Sequence, residues 1–452
     1  MSQSASDQLK LINAGSIIVR LGLIVLVALA FFGSWRAARW YMGSEFALIA
    51  PYLPEDALTT AQTAVDLSPS DPLAHRALGS IEQTGLTPQE LQASIREFER
   101  AVSLSPNDFR LWVDLGRALE QAGDDESAER AFRRGVELAP FYSWPRWHLG
   151  NFLLRRGRYE EALSELRRVA EADPTKRSAV FDLAWYVYSG DAKMVGGVLG
   201  NAADVREEFV SYLLGRGRLD EALKLWSGLS VEERRAGAGT TGRQLFDHLV
   251  EAKRYRDALN LAGDLVQKGA GGQPEVGKVT NGSFENSVSQ TGALLFEWKV
   301  PSGPQASAAL DPKEPQQGAL SLRINFNAPS AVDFNITQVL AVEPSSSYRL
   351  QFYVRSNNLK SASTPVVQVI SPDGGRTLAE SAPAPTGKAD WQQVTIEFKT
   401  PPDLDGVTLR ITRPPCTAEG AVCPIFGTVW YDNFNLELLG RDAGVRATGR
   451  NR

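Results

Sequence analysis

Three histidines, two cysteines and three methionines are all that 452 residues contain of those types. His75, His148 and His248 lie far apart, and Cys416 and Cys423 sit near the C-terminus without a paired C-x-x-C pattern. Metal hydrolases need clustered His, Cys and carboxylate ligands, and cysteine nucleophiles need a thiol beside a base. Neither chemistry has material to work with here. Nucleophile-elbow, phosphate-loop, dinucleotide and H-E-x-x-H signatures are also missing. The glycines at Gly196-Gly197 and around Ala238 lack a strand context, and Asp403-Leu404-Asp405-Gly406 reads as a turn rather than a catalytic acid pair. The sequence therefore reads as non-enzymatic. An excess of one charge is absent too: 48 basic against 53 acidic residues leave −5, which gives no electrostatic footprint for nucleic acid. With 43% hydrophobic and 22% charged residues, disorder over most of the length is excluded, and the length implies two or three domains.

What is present begins with a long apolar run, Ser16 to Trp35 (SIIVRLGLIVLVALAFFGSW). Twenty helical residues span roughly 30 Å, the thickness of a hydrocarbon core. Arg20 lies near one end, where its stem lets the guanidinium reach the headgroups, and Trp35, Trp40 and Tyr41 fall where an interfacial aromatic belt belongs. The run reads as one membrane-spanning helix. Ala28-Leu29-Ala30, after the apolar stretch Leu21 to Leu29, keeps a cleaved signal sequence open, and a buried helix is a third reading. Lys10 and Arg20 on one side nearly balance Arg36 and Arg39 on the other, so charge does not set the orientation.

From Asp56 to about Lys268 the chain repeats itself. Phe109 to Tyr142 carries Trp112, Leu115-Gly116, Leu119, Ala128, Phe132 and Pro140; Ser143 to Lys176 carries Leu149-Gly150, Leu153, Ala162, Leu166 and Pro174. The glycines, alanines and prolines recur at an offset of 34. Small residues let helix backbones approach closely, glycine turns at Ala122-Gly123-Asp124 and Arg156-Gly157-Arg158 reverse the chain, and proline ends the second helix. A single hairpin cannot bury its apolar stripe, so several must stack. Looser copies run over 56–69, 72–108 (with an insertion around Thr84 to Gln89), 207–229 and 244–266, with Ala222 and Ala258 at helix crossings; Trp185 to Ala203 is glycine-rich and irregular. This pattern resembles the tetratricopeptide repeat family. The resemblance implies a right-handed helical array that holds a protein partner on its inner face. Trp144, Trp147, Trp185, Tyr186 and Tyr188 cluster mid-array and read mainly as core, and Arg155, Arg156 and Arg158 as a solvated turn.

Gly269 to Gly277 has linker composition. Beyond it, helical periodicity gives way to short alternating segments: Leu320–Phe326, Tyr348–Val354, Val366–Ile370, Gln393–Phe398, Val407–Ile411 and Val429–Leu436. Turn clusters separate them, as in an all-β sandwich. The opening Asn281-Gly282-Ser283-Phe284-Glu285, the middle Tyr348 to Arg355 and Trp391 to Phe398, and the closing Trp430-Tyr431-Asp432-Asn433-Phe434-Asn435-Leu436 resemble family 4/9 carbohydrate-binding modules of the galactose-binding-like jelly-roll fold. That resemblance implies a structural calcium with Glu285 and Asp432 as carboxylate ligands, and a polysaccharide surface with Trp298, Phe334 and Tyr353 as candidate glycan contacts. Cys416 and Cys423, enclosing six residues among prolines, read as a loop-stapling disulfide and place the bulk of the chain in an oxidising, periplasmic or extracytoplasmic compartment.

The expected fold is thus multi-domain: an N-terminal tail (1–15), a transmembrane helix (16–35), an all-α tetratricopeptide-type solenoid (36–268), a linker (269–277), an all-β jelly-roll sandwich (278–440) and a disordered tail (441–452). The expected role is a membrane-anchored scaffold of the cell envelope, in exopolysaccharide assembly or export. The alternative is glycan recognition by the sandwich, with the repeats as stalk.

Overall fold

A computed structural model describes residues 16–53, 55–85, 87–265, 274–289, 295–330, 332, 334–416 and 422–441. The expected N-terminal tail, the first part of the linker and nearly all of the C-terminal tail lie outside the described residues. The chain divides into two compact units, Met1–Val205 and Arg206–Arg452.

In the first unit, helix α1 (Ile17–Ile49) is followed by α2 (Ala57–Leu67), α3 (Pro72–Gln83), α4 (Pro88–Leu104), α5 (Phe109–Gln121), α6 (Asp125–Leu138), α7 (Ser143–Arg155), α8 (Tyr159–Ala172), α9 (Arg177–Val187) and α10 (Ala192–Leu199). The apolar helix does not stop at Trp35. Residues 36–49 hold no proline, and Ala47 packs with Ala64, Ala74 and Ala77, while Ala50, in the turn just beyond, packs with Ala61 and Leu78. One helix thus contributes an apolar exposed half and the first inner helix of the array.

The repeat glycines act through close approach. A Cβ on Gly116 would lie 2.8 Å from the Phe132 ring, and one on Gly150 would lie 2.8 Å from Leu166. Ala128 and Ala162 are fully buried. Gly123 and Gly157 take positive φ (81° and 73°) at the hairpin turns, where a side chain would be strained. Asp71, Asp108 and Asp124 cap their helices by accepting from the backbone N–H of Leu73, Arg110 and Ser127. The insertion before α4 ends in a capping box between Thr87 and Glu90. The irregular stretch is a shortened hairpin, in which α9 and the 8-residue α10 replace longer helices.

Helix α11 (Ala203–Gly215) straddles the boundary between the units. The second unit continues with α12 (Leu219–Ser227), α13 (Val231–Ala236), α14 (Arg243–Glu251) and α15 (Tyr255–Leu265), with Ala222 and Ala258 fully buried at the crossings. Among the described residues nine strands follow: β1 (Ala306–Asp311), β2 (Ser321–Ala328), β3 (Asn335–Ala341), β4 (Ser346–Lys360), β5 (Val366–Ile370), β6 (Thr377–Glu380), β7 (Gly387–Lys399), β8 (Gly406–Thr412) and β9 (Ile425–Arg441). They form two antiparallel sheets, β1-β2-β9-β4-β7 and β3-β8-β5-β6. Their inner faces enclose one apolar core that includes Ile324, Phe352, Leu409 and Val429.

The sandwich is bound to the last helical hairpin. Asp405, in the turn before β8, accepts from the backbone N–H of Tyr255 (3.0 Å) and Arg256 (3.3 Å) and so caps α15 from 150 residues away in sequence. Lys253 pairs with Asp373 at 2.8 Å, Arg256 with Glu343 at 3.4 Å, and the Phe246 and Phe296 rings meet edge to face. The end of the linker is pinned as well: the Gly277 N–H donates to the Ala341 carbonyl at 2.8 Å.

Candidate functional site

In the first unit the inner helices α3, α5 and α7 line a cleft of about 430 Å³, built from Gln83, Arg117, Glu120, Trp147, His148, Asn151 and Arg155, among others. The spacing i, i+4, i+8 puts Trp147, Asn151 and Arg155 on one face of α7. Arg155 donates two hydrogen bonds to the Glu120 carboxylate, at 2.7 and 2.8 Å, tying successive hairpins together. Lys176 Nζ stands 5.4 Å above the Trp147 ring. Arg156 pairs with Asp125, and Arg158 with Glu129 and Glu161, so the arginine-rich turn is neutralised by neighbouring carboxylates. Trp144 packs on the core, whereas Tyr186 is 83% exposed.

The His148 ring lies parallel to Phe132 and edge-on to Trp144. Burial, reinforced by Arg117, Arg155 and Lys176, pulls its pKa down to about 4. The unfolded chain therefore takes up this proton near pH 6.5, before the folded one does. The stability His148 contributes is complete above that pH and is lost as pH falls toward 4. After allowance for partial solvent access, the expected loss is on the order of 2 kcal/mol. The first unit should thus show a drop in urea-unfolding stability between pH 6.5 and 4 that His148→Leu removes. Glu82, raised to about 7 by burial and by Glu97, acts in the opposite direction. The difference between the two proteins, rather than either curve alone, is therefore the measurement.

In the second unit, alternation along β4, β7 and β9 turns Gln351, Tyr353, Gln393 and Asn435 outward while Leu350, Phe352, Val354 and Leu436 fill the core. Register sets Tyr353 opposite Gln393 and Gln351 opposite Asn435. With Ser283, Gln317 and Asn433 they line a cleft of about 450 Å³. Side-chain amides donate and accept at once, as sugar hydroxyls do, and Tyr353 adds an aromatic face. The neighbouring Trp430 is covered by Arg355 and donates its indole N–H to Asp311 at 3.0 Å.

Two of the three expected glycan contacts are corrected. Trp298 is 2% exposed, wedged between Phe284 and Phe434 with ring centroids at 5.3 Å from each, and Phe334 is 4% exposed against Phe326. Both fill the core, where a sugar cannot reach. Only Tyr353 lies in the cleft. The amides around it went unnoticed because single Gln and Asn residues carry no sequence signal until pairing aligns them.

Asp432 is fully buried and accepts from the backbone N–H groups of Gln316 (2.9 Å), Gln317 (3.4 Å) and Asn433 (2.7 Å). Glu285 accepts from Ala319 and Leu320 in the same loop. Burial, and the like charge of Glu285 nearby, push the Asp432 carboxyl upward. Among the described residues no Lys or Arg pairs with either carboxylate. The oxygens of both carboxylates accept from backbone N–H groups, and among the described residues no cluster of three or more acidic, histidine or cysteine side chains is gathered that could hold a metal. Cys416 and Cys423 are joined as a disulfide. Buried Arg413 spans the base of that loop, donating to the carbonyls of Ser363 (2.9 Å) and Cys423 (2.8 Å).

Comparisons with known proteins agree with this architecture. The family described as "Carbohydrate binding domain", of type 4/9, matches residues 276–418, and the family "Tetratricopeptide repeat" matches 89–143 and 146–191. Superkiller protein 3 of Saccharomyces cerevisiae is 31% identical over 93 residues, 21% of this chain and 6% of that protein. The peroxisomal targeting signal receptor of the same yeast is 31% identical over 108 residues, 24% of this chain and 17% of that protein. The chain thus spans less than a fifth of these relatives. Among solved structures, one titled "CBM4 structure and function" is 14% identical, covering 35% of this chain and 99% of that one at a TM-score of 0.27. YrrB, titled "a TPR protein with an unusual peptide-binding site", is 21% identical, covering 40% and 84% at a TM-score of 0.28. Repeats and module are both non-catalytic kinds of domain. This chain carries tetratricopeptide repeats, matched over 89–143 and 146–191, followed by a domain matched over 276–418 to the carbohydrate-binding type 4/9.

Proposed function

We propose that the protein is an envelope scaffold that holds a protein partner in the cleft of the array and a polysaccharide in the amide-lined cleft of the sandwich. In this reading α1 anchors it in a membrane, and the assembly it serves makes or exports exopolysaccharide. The observation that carries the proposal is an open cleft on the array, bordered by Trp147 and Asn151, and one on the sandwich, bordered by Gln351, Tyr353 and Gln393. Helix α1 supports the anchor: it is long and apolar enough to cross a membrane, and its most apolar window is wholly unburied. A signal sequence passes the same test.

The test is affinity capture from detergent-solubilised membranes with the full chain and two variants. Trp147→Ala/Asn151→Ala should lose the protein partners and keep the glycan. Tyr353→Ala/Gln393→Ala should lose retention on polysaccharide by about tenfold while keeping the partners, since an aromatic contact and a hydrogen bond together contribute about 1.4 kcal/mol or more. Retention of all protein partners by the first variant would overturn the scaffold reading in favour of glycan recognition with the repeats as stalk.

Glu285 and Asp432 are proposed to hold a calcium ion that fixes the 314–320 loop beside the glycan cleft. Saturating calcium should raise the thermal midpoint of the sandwich by several degrees, corresponding to roughly 2.7 kcal/mol at a hundredfold excess over the dissociation constant. Chelation should reverse the rise and Asp432→Asn should abolish it. An unchanged midpoint would remove the ion from the account.

A further inference from the structure

We propose that one edge of the first unit rests on the bilayer that α1 spans, with Phe141 and Tyr142 as an interfacial foot. The inference depends on the anchor reading above and adds a direction to it. Helix α1 leaves its apolar half and enters the array without a break, so its axis relates the two. Helix α2 runs back along it: the Arg39 guanidinium donates to the Asp66 carbonyl at 2.9 Å, a Cβ on Gly43 would collide with Ser68, and Ser44 donates to Asp71 at 2.5 Å. The turn from α2 to α3 therefore lies beside residues 43–44. That level is eight to nine residues beyond Trp35, or about 12–14 Å along the helix.

The equivalent turns of later hairpins share this edge. The Phe109 and Tyr142 rings meet at 5.4 Å across one step, and Ser143 donates to Asp173 at 3.1 Å across the next. Tyr142 and Asp173 lie in the turns before α7 and α9, as Asp71 lies in the turn before α3. On this edge Phe141 is 91% and Tyr142 62% exposed. A large aromatic pair left in water costs free energy, and at the headgroup level of a membrane that cost is removed. Exposed aromatics also occur on the opposite edge, at Tyr52 and Tyr186 (both 83%), so exposure alone does not choose between edges. The direction of α1 does. Arg36, exposed just past the span, supplies a cation for anionic headgroups.

The two ends of α5 provide a matched test. The native cysteines are disulfide-bonded, so Asn107→Cys and Ala122→Cys each introduce a single reactive thiol. Each full-length variant is labelled with a fluorophore and reconstituted into phosphatidylcholine vesicles containing phosphatidylglycerol and a headgroup-nitroxide lipid. Quenching at position 107 should exceed that at 122 by at least roughly twofold, as expected for an interfacial and an aqueous site about 20 Å apart. Phe141→Ser should reduce the difference. Equal or reversed quenching in protein that still floats with the vesicles would overturn the membrane-facing edge alone. Protein that fails to float with vesicles would overturn the anchor, and the edge with it.

Discussion

Trp298→Ala should destabilise the sandwich rather than merely weaken glycan binding. The side chain is 2% exposed and packs between Phe284 and Phe434, which in turn stacks on Phe352 at 4.9 Å. Truncation would leave a cavity bounded by three aromatic rings that cannot collapse independently. Losses of about 3–5 kcal/mol are typical of such changes, and in a unit of this size they correspond to a fall in thermal midpoint on the order of 10 °C. Tyr353→Ala, by contrast, removes a partly exposed ring from the cleft and should leave the midpoint within a degree or two. Calorimetry on the two variants separates the roles. A Trp298→Ala protein with an unchanged midpoint and selectively lost glycan binding would return Trp298 to the binding surface and contradict the burial described here.

The second large effect is expected where the sandwich meets the last hairpin. A Cβ on Gly406 would lie 2.5 Å from Cγ of Tyr255, whose ring is itself buried. Gly406→Val thus forces the β8 turn away from α15, and overpacking of this kind costs about 1–3 kcal/mol. Asp405→Ala acts on the same contact by withdrawing the acceptor for two N-terminal N–H groups of α15, at a cost of about 1 kcal/mol. Because both act on one contact, the double variant should cost less than the sum of the two. Amide exchange across 255–265 should accelerate in both, while the β4–β9 ladder stays protected. If exchange in α15 were unaffected, the hairpin would be stable without the sandwich, and the contact would be incidental.

Local chemistry made the repeats legible. Gly116, Gly150, Ala128 and Ala162 must be small wherever helices cross at that distance, and Pro140 and Pro174 must end helices. These requirements act on neighbours close in sequence and leave a period that can be read. Six of the nine described strands announced themselves through alternation. The three that did not are instructive: β1 is alanine-rich, β3 carries Gln338 on its buried face, and β6 has only four residues, so none of them shows a clean alternating pattern. Asp403 to Gly406 read as a turn, which it is; its second role as the cap of a helix 150 residues earlier had no local trace.

The sequence by itself determined the period of the array, the apolar N-terminal helix, the change from helix to sandwich and the cysteine pair. Each follows from forces between residues near one another in the chain. Tertiary structure alone decided which aromatics line a cleft and which are buried. Trp298 and Tyr353 are both aromatic, yet Trp298 is buried between Phe284 and Phe434 whereas Tyr353 points outward from β4. It also gathered Gln351, Gln393 and Asn435 into one cleft, because strand register, set by the whole apolar core, aligns residues distant in sequence, and it brought Gln317 beside them on the loop that Asp432 holds.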